Sequence, residues 1–166
     1  MSRQQFEQTV MDSVRAIPHA MGLNNHMGSL LTRNHTAMDW LMQYIAKRNK
    51  LFFVDSRTTQ NSQATLHANL NGVRNTGRDI FLDHVVDAKA IRTQYKRLIW
   101  QAQRHGSALA IGHPHPETLE VLEQELPQLT QMGVKLVPVS QLIQFRSRRS
   151  LAWQTSLSPL HKAAKN

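Results

Sequence analysis

Short apolar runs alternate with helix-period segments along most of this chain, and that alternation restricts the fold more than any other feature. Leu51-Phe52-Phe53-Val54 is the clearest run. It is apolar on both faces, as a strand inside a parallel sheet must be. Ile80-Phe81-Leu82 and Ala108 to Ile111 read the same way, Ala20 to Leu23 more weakly, and Val134 to Val137 forms a last strand. Between them lie helices. Phe6, Val10, Met11, Val14 and Ile17 recur at helical spacing over residues 2 to 17, and Pro18 ends that helix. A second helix is expected from Thr36, with Asp39 as a carboxylate capping partner and Met38, Leu41, Met42 and Ile45 facing inward. Weaker spacing runs from Ser62 to Leu70. Ala88 to His105 is strongly periodic and stops at Gly106. Glu117 to Glu125 follows, with Pro127 restarting it. A short helix capped by Ser140 comes last. Strand and helix in alternation predict an α/β fold with a parallel sheet and right-handed crossovers.

In parallel sheets, ligands bind where the strands end. Four successive strands end here in groups able to bind or react: Asn25-His26, Asp55-Ser56-Arg57, Asp83-His84 and His113-Pro114-His115. All would meet on one rim. In the last cluster both histidines precede a proline, which biases each toward extended backbone and stiffens the loop. Two imidazoles and a carboxylate make an open metal site that leaves a position for water. Asp55 or Asp83 could supply the carboxylate, orient a histidine, or act as base. Arg57 could pair with a carboxylate or steady an oxyanion. Plainer roles compete with these: Asp55 and Asp83 as helix caps, Arg57 and Arg78 as their counter-charges, His84 as an exposed loop residue. His19, His35, His67 and His105 fall outside the strand-end pattern and carry no assignment.

Composition closes several alternatives. The absence of cysteine excludes disulfides, thiolate metal sites and cysteine nucleophiles. No serine elbow, phosphate loop or dinucleotide fingerprint is present, and Ser56 lacks the His and Asp order of a serine hydrolase. No apolar run approaches the ~20 residues of a membrane span. The N-terminal residues carry no signal-peptide core. The net charge of +9 invites polyanions, but it is concentrated late: Arg146, Arg148, Arg149, His161, Lys162 and Lys165, with no acidic residue after Glu125. No motif for specific nucleic-acid binding accompanies it. Residues 1 to 145 therefore read as one domain, and 146 to 166 as a basic tail of low order.

The motifs Asn24-Asn25-His26-Met27-Gly28-Ser29, Phe52 to Thr59, Arg78 to Asp83, Gly112 to Leu119 and Leu136 to Ser140 occur in the order seen in the divergent polysaccharide deacetylase family, which this chain resembles from about Pro18 to Leu142. The resemblance implies a deformed (β/α) barrel, here incomplete, with about five βα units of a seven-stranded barrel. It implies a metal-dependent hydrolase that removes acetyl groups from a polysaccharide or other acetylated carbohydrate, in the periplasm or outside the cell. The divalent metal would be zinc. With the strand-end pattern it implies His26 and His113 as metal ligands, with His115 able to take the place of His113. Asp55, Arg57, Asp83 and His115 would serve catalysis, and Asn25, Ser56 and His84 would meet substrate. Two departures stand out. The family's opening strand ends in an Asp-Asp pair, a metal ligand and base, to which nothing here corresponds. The wider superfamily's second histidine, four residues after the first, is replaced by Leu30. A chain without its leading strands would be impaired as an enzyme and would expose a sheet edge open to self-association. The alternative is a non-catalytic carbohydrate-binding or interaction remnant of that fold.

Overall fold

The computed structural model describes residues 1–48 and 50–157. Strands β1 (Gly22–Asn24), β2 (Phe52–Asp55) and β3 (Asn75–Gly77) form one sheet in that order, and β4 (Ile80–Phe81) pairs with β5 (Ala110–Ile111) in another. Every pairing is parallel. Only Arg78 and Asp79 separate β3 from β4. The Arg78 N–H donates backward to the Asp55 carbonyl at 2.9 Å, and the Asp79 N–H donates forward to the Leu109 carbonyl at 2.8 Å. One extended stretch thus passes its hydrogen bonding from β2 on one side to β5 on the other.

Helices make the crossovers. β1 connects to β2 through the short α2 (Ser29–Thr32) and α3 (His35–Ala46), β2 to β3 through α4 (Ala64–Leu70), and β4 to β5 through α5 (Ala88–His105). The N-terminal α1 (Arg3–Arg15) carries a capping box between Ser2 and Gln5 and buries Phe6. Asp87 caps α5, accepting from the Ala90 N–H at 2.8 Å, and Gly106 ends it at φ +77°, where a side chain would be strained. Pro116 opens α6 (Pro116–Glu125), followed by a 3-10 turn over Leu126–Gln128, and α7 (Val139–Leu157) comes last.

The expected α/β architecture with parallel sheets is present, and among the described residues the sheets do not close into a barrel. Local differences have identifiable causes. Asn34, not Thr36, starts α3, because its side chain accepts from the Ala37 N–H at 2.9 Å. Val134 to Val137 is not a strand. The Val134 N–H folds back to the Leu129 carbonyl, and Lys135, Leu136 and Val137 donate no backbone hydrogen bond among the described residues. The last helix is long, not short, and continues to Leu157 through residues that read as tail; residues 158–166 lie outside the described residues. Arg146 fastens it, donating to Thr76 Oγ1 at 2.8 Å, to Ser107 Oγ at 3.1 Å and to the Asp79 carboxylate.

Two apolar clusters result. Phe6, Met38, Met42, Ile45, Phe53 and Val73 belong to the first, and Ile80, Leu82, Ile91, Tyr95, Ile99 and Val121 to the second.

Candidate metal centre at the strand ends

Asp83 leaves β4 and turns its carboxylate inward, 4% exposed. Such a group is stable only if its lone pairs are met. The His113 backbone N–H donates to Oδ2, the Thr118 hydroxyl donates to the same oxygen at 3.1 Å, and His113 Nδ1 lies 3.1 Å from Oδ1. Burial pushes the Asp83 carboxyl upward, but the His113 N–H, the His113 ring and Thr118 together hold it below the usual carboxylate range. An ionised carboxylate only accepts, so Nδ1 is the donor in this pair, and Nε2 is the ring atom left to face a metal. Gly112 makes the approach possible. A Cβ there would stand 3.2 Å from Asp83 Oδ2 and 3.4 Å from both Leu82 Cβ and Thr118 Cγ2.

His115 is the residue before α6, at φ -70° and ψ 146°. This is the extended conformation that a following proline favours. Its ring centroid lies 5.7 Å from that of His113. One ligand atom from each of Asp83, His113 and His115 falls within 4.8 Å of the others. Carboxylate and imidazole donors at that spacing could hold a divalent ion, with solvent at the open positions. His26 approaches from β1 with its ring 5.6 Å from His113, edge to face, outside that trio.

The ends of β1 and β2 form a second knot. The Ser56 N–H donates to Asn25 Oδ1 at 2.8 Å, its hydroxyl donates to the Asn25 carbonyl, and Asn24 Nδ2 donates to Ser56 Oγ at 2.8 Å. Asp55 is 2% exposed and accepts from the Arg57 N–H at 2.8 Å, fixing Arg57 at φ +49°. The Arg57 guanidinium lies across Gly77, where a Cβ would come within 2.4 Å of Nε. Arg78 joins the knots. Its Nε donates to the Ser56 carbonyl at 2.6 Å, and its guanidinium lies 5.0 Å from the Phe81 ring centroid. Phe81 in turn meets the His113 ring at 5.5 Å and the exposed His84 ring at 6.4 Å.

Asp83, His113 and His115 are therefore brought together, with His26 beside them. Asn25, Asp55, Ser56 and Arg57 are held in the neighbouring knot. Thr118, Gly112 and Phe81 had no assigned role in the sequence. Only Thr118 carried a usable signal, as a hydroxyl in the first turn of a helix directly behind two candidate ligands.

Comparison with known proteins bears on this arrangement. A family model described as divergent polysaccharide deacetylase matches residues 1–143. The uncharacterized protein YibQ of Escherichia coli (strain K12) is 41% identical over 143 residues, covering 86% of this chain and 44% of the relative. An uncharacterized protein of Haemophilus influenzae is 39% identical over 142 residues, covering 86% of this chain and 50% of the relative. The chain spans about half the length of the curated relatives it matches. The crystal structure of the uncharacterized protein ATU2773 from Agrobacterium tumefaciens C58 is similar in fold. It has a TM-score of 0.76 at 22% identity over 82% of this chain and 56% of that one.

Proposed function

The chain belongs to the divergent polysaccharide deacetylase family, and from that premise we propose that its strand-end cluster is the metal centre of a hydrolase that removes acetyl groups from a carbohydrate. The observation that carries the reading is that ligand atoms of Asp83, His113 and His115 lie within 4.8 Å of one another. A divalent ion bound there, zinc fitting the donor set best, would lower the pKa of a water and polarise an acyl oxygen. His113 would offer Nε2, because Asp83 holds the proton on Nδ1. His115 would be the second nitrogen donor, and His26 is placed to add a third from β1. Arg78, over the Phe81 ring that meets His113, would supply positive charge near the centre, and Arg57 would add to it. On this reading Asn25, Ser56 and His84 would meet the sugar. The periplasm or the cell exterior is the setting this reading expects, within a barrel-type fold. Among the described residues no helix is long and apolar enough to cross a membrane.

The carboxylates suggest how active the 166-residue chain is. Asp83 is saturated by three donors, and Asp55 is engaged by Arg57. Asp83 is thereby poorly placed to act as a general base, which favours slow turnover. The same observation favours a second reading, metal-supported carbohydrate binding without hydrolysis. Among the described residues β1 pairs only on its β2 side, so self-association through that edge belongs with both readings.

Zinc titration and acetate release from acetylated chitooligosaccharide test the proposal together. His113→Ala and His115→Ala should each remove one equivalent of bound zinc. Any acetate release should fall about 100-fold or more, the upper range for disturbing a metal's immediate surroundings. Zinc binding without acetate release selects the second reading. Zinc stoichiometry unchanged in both variants ends the first.

A further inference from the structure

Away from the strand ends, two histidines that carry no signal in the sequence meet between α3 and α4. His35 is the first residue of α3, exposed to solvent, and His67 sits on α4 with its side chain 12% exposed. His35 Nδ1 and His67 Nε2 are 3.2 Å apart, with ring centroids at 5.4 Å and planes at 75°. Behind them, Asp39 Oδ1 stands 3.6 Å from His67 Nδ1. That is too long for a hydrogen bond, and Nδ1 is a buried polar atom without a hydrogen-bond partner. Asp39 is itself fixed, accepting from Asn71 Nδ2 at 3.0 Å on Oδ1 and from Gln43 Nε2 at 2.8 Å on Oδ2.

The arrangement has the order carboxylate, imidazole, imidazole, with the two facing nitrogens joined by a hydrogen bond whose proton a metal would displace. A proton on His67 Nδ1 would face Asp39 and would leave Nε2 the lone pair that a metal needs. Two Zn–N bonds of about 2.0–2.1 Å meeting at the tetrahedral angle place their nitrogens about 3.3 Å apart. The observed 3.2 Å matches that span. Histidines that ligate metals ordinarily give their other N–H to a carboxylate, which is the position Asp39 occupies. Exposure at His35 leaves room for waters to fill the remaining positions. The electropositive first turn of α3 opposes any cation. Asp39, one turn further along the helix, supplies the opposing charge.

We infer that His35 Nδ1 and His67 Nε2 form a second divalent-metal site, for a late first-row ion such as zinc, that clamps α3 to α4 independently of the strand-end cluster. Imidazole pairs suit zinc, copper and nickel over magnesium or calcium. Such an ion would tie together two helices that flank β2.

Zinc titration calorimetry on the full 166-residue protein, freed of metal by chelation, decides it. In a His113→Ala/His115→Ala background one equivalent of zinc should still bind. His35→Ala in that background should abolish it, and so should His67→Ala. His35 is exposed, so its variant keeps the test valid even if the His67 variant folds poorly. Asp39→Asn should keep the stoichiometry and weaken binding about 10- to 100-fold. Zinc should raise the Tm of the His113→Ala/His115→Ala protein and leave it unmoved once His35 is also replaced. No zinc binding in that background, or binding that survives His35→Ala, overturns the inference. Neither result touches the strand-end cluster, whose own variants are read separately.

Discussion

The two halves of the molecule solve the packing problem differently. In the first, Met38, Met42, Ile45 and Phe53 are each at most 2% exposed, and α1, α3 and α4 close over a three-stranded sheet. In the second, strands of two residues lie against α5 and α6, and a cavity of about 920 Å³ opens between β5, those helices and residues 133–145. Tyr95, Ile99, Leu142 and Phe145 line it, as do Gly112, His113 and Thr118. A dense interior holds side chains through contact alone. The histidine loop borders the looser half and is held by other means: two prolines and the hydrogen bonds to Asp83. Polar bonds and restricted dihedrals can position a site where packing is thin.

The largest expected effect probes that contrast directly. Phe53→Ala should cost about 3–5 kcal/mol, as removal of a buried aromatic ring ordinarily does. Leu142→Ala, beside existing empty volume, should cost about 2 kcal/mol, the bottom of the range for leucine. Urea unfolding of both variants measures the difference, and equal losses would show the second core to be as tight as the first.

Next in size is Asp83→Asn in the metal-free protein. It should cost about 2–3 kcal/mol at neutral pH, since hydrogen bonds to a charged group are the strong ones. The folded carboxyl lies below the ordinary aspartate value of 3.8, so its stabilisation is complete above that pH. As pH falls below 3.8 and through the folded value, the contribution is lost. The gap between wild type and variant should therefore narrow in acid. A gap constant down to pH 2 would contradict the polar account of this half.

The smallest effect is at Arg92, which spans α5 and α6 to reach Glu125 Oε1 at 2.8 Å. Arg92→Ala should cost about 0.5–1 kcal/mol, less in high salt, as partly exposed ion pairs do. A salt-independent loss would point to packing by the arginine stem instead.

The sequence made some of this legible through hydrophobic pattern. Phe52 to Val54, Ile80 and the α5 face of Ile91, Tyr95 and Ile99 follow the periods that burial imposes. β3 did not, because Asn75-Thr76-Gly77 has no apolar pattern. Asn75 is held by Asn69, Thr76 receives Arg146, and Gly77 makes room for Arg57. Val134 to Val137 misled for the opposite reason: its composition suits a strand, yet pairing needs a neighbour's edge, which composition cannot supply. Asp83, His113 and His115 could be read from their positions at strand ends. The His35 and His67 pair could not, since 32 residues of chain must fold before the rings meet.

The stretch from Asn75 to Phe81 has a further consequence, for how the chain can be divided. Its first three residues pair with β2 and its last two with β5. A cut between Gly77 and Ile80 would leave a frayed strand end on both fragments, each with unmet amide and carbonyl groups. A break at the Asn71-Gly72 turn, where Gly72 has φ +66° and open space around it, would spare that strand. Complementing fragments, or a circular permutant, belong at the turn.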